Sequence, residues 1–575
     1  MRAFLRGSLA ILLLLLSASA CQGGEETTPD APAASTDATH TPVPFVQPGT
    51  TLVPPLEQSA LATIREHGEM RVGVLYNHPP FTYLTEQGEL AGFEADLVRA
   101  IAEKWGVEVS FVQVTHQTGL TYLLDSQVDL LAAGVPHRRE LHQLADFSQT
   151  TFRSGYLMLV PEDSPVEGFG DLDGAAVGVV EDAAFDVVGA AARDLGVAPT
   201  AQRFDTTAEA VAALLNGQIR AVVDRREALM LATQEHPELS ILEEFLQLEP
   251  YGFVLRRGDA NFRNLLDVTL QELVDDGTYA DLFNRHFYGY AADQPPVWPG
   301  ESAPTFASQP ESLDLPSESR VASVARGEAI TVAGWQSSYD DPPLDNRRLV
   351  DDFNRALVNE IARRWGVSVD EVESGGGEAG VASVSSGQAD LAVGVLPRRE
   401  LAEGADYSQG YLRRGLRLAR LSDTEIEGAG DLASRPVAVL GPVEAAAPIT
   451  AESADVDVQS VSTPRRLLVA LQDGSVDAVI ADEFTLGLMA REDPNVVVMA
   501  EMFAPTHYVI AVPRFDADFL ALVNFTLQDM HADGTLERLV EQYFGPYAPA
   551  EDDAGPPVVE VWPGSGAYLD LSPDA

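Results

Sequence analysis

The chain repeats itself at the scale of a whole domain. Gly134-Val135-Pro136-His137-Arg138-Arg139-Glu140-Leu141, followed by Ala145-Asp146-Phe147-Ser148-Gln149, returns as Gly394-Val395-Leu396-Pro397-Arg398-Arg399-Glu400-Leu401, followed by Ala405-Asp406-Tyr407-Ser408-Gln409. The offset is 260 residues, and it holds without a gap from Trp105-Gly106-Val107 against Trp365-Gly366-Val367 to Asp171-Leu172 against Asp431-Leu432. Solenoid repeats run ~20–50 residues, so a period this long excludes an array of small units. The chain must fold as two copies of one module. Its function is that module's function, performed twice or divided between the copies.

Within the first copy, short β-rich runs alternate with amphipathic stretches. Residues 70–75 read as a strand, broken by Pro79-Pro80. Phe93, Leu97, Ile101 and Trp105 recur every four residues, which gives a helix with one buried stripe, closed by Gly106. Residues 107–114 alternate as a strand, 120–124 look helical, 128–134 form a buried strand ending in Gly, and 156–160 form another. Residues 176–180 with a helix over 183–195, and a helix over 208–215 with a strand over 221–224, make further βα units. A helix is expected over 262–274, and Thr278 with Asp281 can form a capping box for the last one. This alternation implies an α/β fold with largely parallel sheets.

The ends carry a different kind of information. Residues 1–21 have the form of a secretion signal, with Arg2 and Arg6 before an apolar run at 9–16 that is too short to span a bilayer. Ala18-Ser19-Ala20 precede Cys21, the sole cysteine, so no internal disulfide can form. The arrangement resembles a bacterial lipoprotein signal, which implies lipidation at Cys21 and an extracytoplasmic body held to a membrane, in the periplasm or at the cell surface. Residues 22–55 are rich in Thr, Pro, Ala, Ser, Asp and Glu and read as a disordered tether. Module 1 is placed at 56–300, a linker at 301–317, a degenerate module 2 at 318–565 and a tail at 566–575.

The formal net charge is −51, and Lys104 is the single lysine. Nucleic-acid binding needs clustered Lys and Arg to neutralise phosphates, so this composition argues against it. Self-repulsion of a solvated acidic surface keeps such a chain soluble. The ten histidines are scattered, without the ligand spacing a metal needs. No Walker-type loop, G-x-S-x-G or Ser-His-Asp set is present, and no cofactor is expected. Gly375-Gly376-Gly377 reads as a loop rather than a phosphate cradle.

Taken in order, Phe81, Gly92-Phe93-Glu94-Ala95-Asp96-Leu97, Asp146-Phe147-Ser148, Gly174, Gly178-Val179 and Asp276-Gly277-Thr278-Tyr279 resemble the extracellular solute-binding proteins of family 3, the amino-acid-binding components of ABC importers. The second copy keeps Asp406-Tyr407-Ser408, residues 477–482 and Asp533-Gly534-Thr535, but has Asp352-Phe353-Asn354-Arg355-Ala356-Leu357 in place of Gly-Phe-Glu-x-Asp-Leu. The resemblance implies two tandem modules of the type II periplasmic-binding-protein fold. Each would have two lobes joined by two crossing strands, near 153–156 and 249–253 in the first copy. The lobes would close on a ligand by hinge motion.

The resemblance also implies how a ligand is held: an arginine on the α-carboxylate, backbone amides at a second-lobe helix start, an aspartate on the ammonium, and aromatic walls. Counting back from Asp146 puts the family's arginine position on Leu141, and on Leu401 in the second copy. A shifted register offers Arg139, with Arg138 the other candidate, and Arg399 in the second copy. Asp182 stands at the second-lobe turn, where it can cap a helix or attract a cation. The ammonium aspartate fits Asp482 in the second copy, and Asp224 is its nearest match in the first. His78, Phe81 and His116 are wall candidates in the first copy, and Trp335 and Tyr339 are their loose counterparts.

The leading expectation is a lipid-anchored protein that delivers a small polar solute, an amino acid or amine, to an ABC permease. The alternative is a sensing or scaffold lipoprotein that signals to another membrane receptor. An enzyme is the third reading. The two modules use up the chain, no transglycosylase domain is seen, and Glu94 is the one acid worth testing for catalysis.

Overall fold

The computed structural model describes residues 56–545 apart from 294, 296, 299–303, 340–343, 452 and 454. The expected signal, Cys21, tether and final tail lie outside these residues.

Module 1 has two five-stranded sheets. The first runs Glu108–Gln113, Glu69–Val74, Leu130–Ala132, Tyr251–Arg256, Ala145–Phe152. Its first three strands are parallel, and Tyr251–Arg256 is antiparallel to both neighbours. Both faces of such a sheet must be covered, and the sequence supplies apolar residues for both. Leu130 and Ala132 enter one buried cluster, while Leu131 and Ala133 enter another, because successive strand side chains face opposite ways. The second sheet runs Thr200–Arg203, Ala176–Val179, Ala221–Arg225, Gly155–Pro161, Leu239–Leu248. The chain passes between lobes twice, from Phe152 to Gly155 and from Leu248 to Tyr251. These are the two crossings expected from the resemblance.

Module 2 joins its strands into a single ten-stranded sheet. Its crossing strands, Leu412–Leu421 and Phe503–Val512, run unbroken from lobe to lobe and pair with each other at Arg413↔His507 and Leu416↔Phe503. The helix Asn346–Trp365 begins seven residues earlier than the helix Phe93–Trp105 does at the repeat offset. Module 1 instead places a small sheet, Asn77–His78, Thr82–Leu84 and Leu90–Ala91, ahead of its helix.

The repeated motifs have structural jobs. Ser148 Oγ accepts from the Phe253 amide at 3.0 Å, and Ser408 Oγ accepts from the Ile510 amide at 2.9 Å. Trp105 Nε1 donates to Thr269 Oγ1 and Trp365 Nε1 to Thr526 Oγ1, both at 2.8 Å. The predicted helical stripe Phe93, Leu97, Ile101 and Trp105 is buried throughout. Two local expectations are corrected. The last helix of module 1, Thr278–His286, is entered through Gly277, and the Asp276 carboxylate accepts from the Thr278 amide, so no Thr278/Asp281 box forms. Residues 304–312, expected in the linker, lie against module 1: Phe306 stacks on Trp105 with ring centroids 5.4 Å apart, and Asn261 Nδ2 donates to the carbonyls of Pro310 and Ser312.

The described residues of both modules fall in one compact unit, and the contact between the copies is polar and reciprocal. Arg139 is 6% exposed. It donates to Gln528 Oε1 and the Phe525 carbonyl, both at 2.8 Å, pairs with Asp529, and stacks over the Phe525 ring. Arg399 reaches the other way and pairs with Asp275. At the centre, buried Arg263 bonds Asp146 at 3.2 Å and Asp406 at 2.5 Å, the same aspartate in the two copies. Asn264 donates to the Ala402 carbonyl at 2.7 Å, and Arg514 to Asn261 Oδ1 at 2.6 Å.

Removing one partner of a buried ion cluster leaves charge unpaired, at a cost of about 3–5 kcal/mol. Arg263→Met should therefore lower the unfolding free energy of the full chain by that amount, read as a lower urea midpoint, and adding Asp406→Asn should recover part of the loss. An unchanged midpoint in Arg263→Met would show that Arg263 does not hold the two aspartates together.

Candidate functional site

The two lobes of module 1 meet in a network of charged and phenolic groups. Arg225 is the last residue of the second-lobe strand Ala221–Arg225 and precedes the helix Arg226–Glu235. Its guanidinium donates to Glu181 at 3.0 Å, Glu249 at 3.1 Å, Tyr156 OH at 3.2 Å and Tyr251 OH at 3.3 Å. Glu181 precedes the second-lobe helix Asp182–Leu195, Glu249 sits at a crossing, and Tyr251 opens a first-lobe strand. Arg138, half-exposed on the first lobe, pairs with Glu249 at 3.3 Å. Beneath it, Glu227 accepts from Ser154 Oγ and Tyr251 OH, both at 2.7 Å. The network therefore ties both lobes and a crossing strand together through exchangeable hydrogen bonds.

The first-lobe side of this region is built around Gly134, in the left-handed region at φ +56. Both carboxylate oxygens of Glu94 accept from its amide, at 3.1 and 3.0 Å. The His78 ring packs so closely that a Cβ on residue 134 would lie 2.3 Å from its Cε1. Burial pushes the Glu94 carboxyl up to about 8, against the opposing pull of the Gly134 amide. Burial, reinforced by His116 and Arg225, pulls His78 down to about 4, so its ring is neutral near pH 7.

The sequence candidates are distributed unevenly. His78, Arg138 and, at the exposed rim, His116 surround this region; the rings of His78 and His116 are 6.4 Å apart. Phe81 is not a wall residue: it is fully buried among Phe152, Tyr251 and Phe287. Arg139 and Arg399 are not in the clefts, because each is taken up by the opposite module. Asp182 is the first residue of its helix, with Glu181 in the cap position, and it is exposed in a pair with Arg203. Asp224 faces away from the network, accepting from Thr207 Oγ1 at 2.7 Å and from the Arg225 amide at 2.8 Å, and burial pushes it up to about 6.

The strand register explains why Asp224 was the wrong match. Arg225 lies opposite Tyr156, and Asp482 lies opposite Leu416, which is Tyr156 at the repeat offset. Arg225 and Asp482 also occupy the same position ahead of the following helix. The two copies thus carry opposite charges at one place. A signal existed in the sequence: aligning Ala221-Val222-Val223 with Ala478-Val479-Ile480 without a gap sets Arg225 on Asp482.

In module 2 the candidates are engaged internally. Trp335 is buried, donates to the Val332 carbonyl at 3.0 Å and lies under Arg355. Tyr339 OH donates to Asp351 at 2.9 Å. Asp482 accepts from the Thr485 amide at 3.1 Å and Thr485 Oγ1 at 2.8 Å, capping its helix. Gly375 and Gly376 both donate their amides to the Trp335 carbonyl, so that turn offers no anion cradle.

A cavity of about 1600 Å³ lies elsewhere, between the modules, bordered by Phe245, Tyr290, Pro397 and His507. His78, Arg138, Glu181 and Arg225 do not line it. Among the described residues, no group of three or more His, Cys, Asp or Glu is placed to hold a metal, and no helix is long and apolar enough to cross a membrane.

The sequence profile of bacterial extracellular solute-binding proteins, family 3, matches residues 70–289 and 348–546. The L-cystine-binding protein TcyJ of Escherichia coli (strain K12) is 27% identical over 241 residues, which cover 40% of this chain and 87% of TcyJ. The ABC transporter glutamine-binding protein GlnH of Bacillus subtilis (strain 168) is 24% identical over 234 residues, with 40% and 85% covered. Membrane-bound lytic murein transglycosylase F of Desulfosudis oleivorans is 25% identical over 231 residues, 40% of this chain and 50% of that enzyme. Among solved structures, the ancestral cationic amino acid solute-binding protein AncCDT-1 has 27% identity and a TM-score of 0.36, covering 40% of this chain and 100% of its own.

The Glu94 carboxyl yields a pH prediction. The folded protein keeps its proton up to about pH 8, whereas an unfolded glutamate releases it near 4.5. Folded stability should therefore fall as pH rises through that window, by at most about 1.4 kcal/mol per pH unit from this group, and then level off. Glu94→Gln should flatten the slope in urea titrations across the window. An identical slope in the variant would show that Glu94 is already ionised when folded.

Proposed function

Because the chain belongs to the bacterial extracellular solute-binding proteins of family 3, we propose that module 1 is its working half. It holds a small polar solute, an amino acid or amine, outside the cytoplasm and delivers it to an ABC importer. The observation that carries this reading is the network of Arg138, Arg225, Glu181 and Glu249 between the lobes. Two guanidiniums beside two carboxylates are balanced without a solute. They remain balanced when a solute's carboxylate and ammonium take over those pairs through charge-assisted hydrogen bonds. His78 and His116 border the same space from the first lobe. Relatives named for cystine, glutamine, histidine and arginine support an amino acid as the solute. The form of residues 1–21 supports a lipid anchor at Cys21. Arg139 and Arg399 serve to join the modules rather than to hold solute.

Calorimetry on the full chain with cystine, glutamine, histidine, arginine and spermidine tests the reading. One amino acid should bind per chain, and Arg225→Ala should weaken it about ten- to a hundredfold, the loss of one charged hydrogen-bonding group. Binding that survives Arg225→Ala unchanged would remove the network as the site. No binding of any of the five would leave the sensing or scaffold alternative.

A further inference from the structure

At the start of the long helix of module 2, Leu344 and Asn346 reach the other lobe. Leu344 stands just ahead of the first-lobe helix Asn346–Trp365, yet it is fully buried within the second-lobe core. It packs there with Ala438, Leu467, Leu468 and Ala481, beside the partly buried Leu440 and Val461. Two residues later, Asn346 Nδ2 donates to Asp482 Oδ1 at 2.5 Å. Asp345 between them fixes the direction of the chain, its carboxylate accepting from the Arg347 amide at 3.1 Å to cap the helix. The contact is therefore rooted in one lobe and seated in the other.

The Asp482 carboxylate has little left to offer a solute. It accepts from Asn346, from the Thr485 amide and from Thr485 Oγ1, and Arg414 stands 3.5 Å away. A carboxylate has about four acceptor directions; three are taken by these hydrogen bonds, and the Arg414 guanidinium pairs with the charge that remains. At the same place in module 1, Arg225 projects into a network shared with half-exposed Arg138. In module 1, the residues ahead of the first long helix form their own small sheet and leave Leu84 44% exposed.

We propose that module 2 is closed by its own chain: Leu344, seated in the second-lobe core, and Asn346, bonded to Asp482, hold the two lobes together without a ligand. Separating the lobes would draw a fully buried leucine into water and break the amide–carboxylate bond at the same time. Module 2 is then a fixed closed body joined to module 1, and solute exchange is confined to module 1. This inference goes beyond the proposed function and does not depend on what module 1 binds.

The test reads lobe separation directly in the full chain. With Cys21→Ser removing the native thiol, Ser385→Cys on the first-lobe helix Gly377–Ser385 and Val469→Cys on the second-lobe helix Pro464–Gln472 place one nitroxide label on each lobe. Pulsed double electron–electron resonance should give one narrow distance, unchanged by a saturating mixture of amino acids. Leu344→Asp should add a longer distance, and Asn346→Ala a smaller share of it. Either change should raise the open-to-closed ratio at least about tenfold. If Leu344→Asp fails to fold, Leu344→Ala combined with Asn346→Ala carries the same expectation. A broad or solute-dependent distribution before substitution would overturn the proposal. So would a single narrow distance that persists in folded Leu344→Asp or in the Leu344→Ala/Asn346→Ala pair.

Discussion

Arg263 holds the molecule's two halves in one frame. One guanidinium, buried between Asp146 and Asp406, binds the same motif residue from both copies. Without it, two carboxylates would face each other at low dielectric, an arrangement that proteins avoid by pairing or protonation. Around this centre, the second arginine of each Arg-Arg pair reaches a late helix of the opposite module: Arg139 toward Asp529 and Arg399 toward Asp275. The contact has the reciprocity of a two-fold dimer interface, although both partners lie on one chain. The recurrence of the second arginine, Arg139 and Arg399, is thus explained by joining.

That joining frees the copies to diverge inside. At one structural position, module 1 carries Arg225 and module 2 carries Asp482. At another, Glu94 accepts from the Gly134 amide in module 1. In module 2, Asn354 stands there and Tyr411 OH comes between, accepting from Gly394 at 2.9 Å and donating to Asn354 at 2.8 Å. The framework bonds have stayed: the serine at the sheet edge and the tryptophan on the helix are the same in both. These differences lie at buried or partly buried polar positions between the lobes, where each side chain must find its own hydrogen-bond partner.

Much of this was legible beforehand. The period-four stripe from Phe93 to Trp105 gave the helix, the Gly-ended run gave the central strand, the repeat gave two modules, and the family resemblance implied their crossings. The site was less legible. Of the candidates in the sequence, His78, Arg138 and His116 stand where the lobes meet. Phe81 is core, because an aromatic beside a Pro-Pro turn reads the same in sequence whether it faces inward or outward. Arg225, Glu181 and Glu249 converge from three separated segments, and no local pattern marks such a meeting. Asp224 and Arg225 are adjacent and point to opposite faces, so a one-residue error in strand register exchanges a buried carboxylate for the central guanidinium.

The sequence by itself determined the duplication, the α/β class and the acidic, lysine-poor composition, because periodicity and composition are properties of the chain read in order, while the lobe crossings were implied by the resemblance of its motifs to a known family. Only the tertiary structure decided that Arg139 and Arg399, the second arginine of each pair, serve the joint between modules, that Arg225 and not Asp224 enters the cleft, and that Leu344 reaches across one. Those outcomes depend on which residues distant in sequence come within a few ångströms, and a hydrogen bond or a buried contact has no existence until both of its partners have been placed.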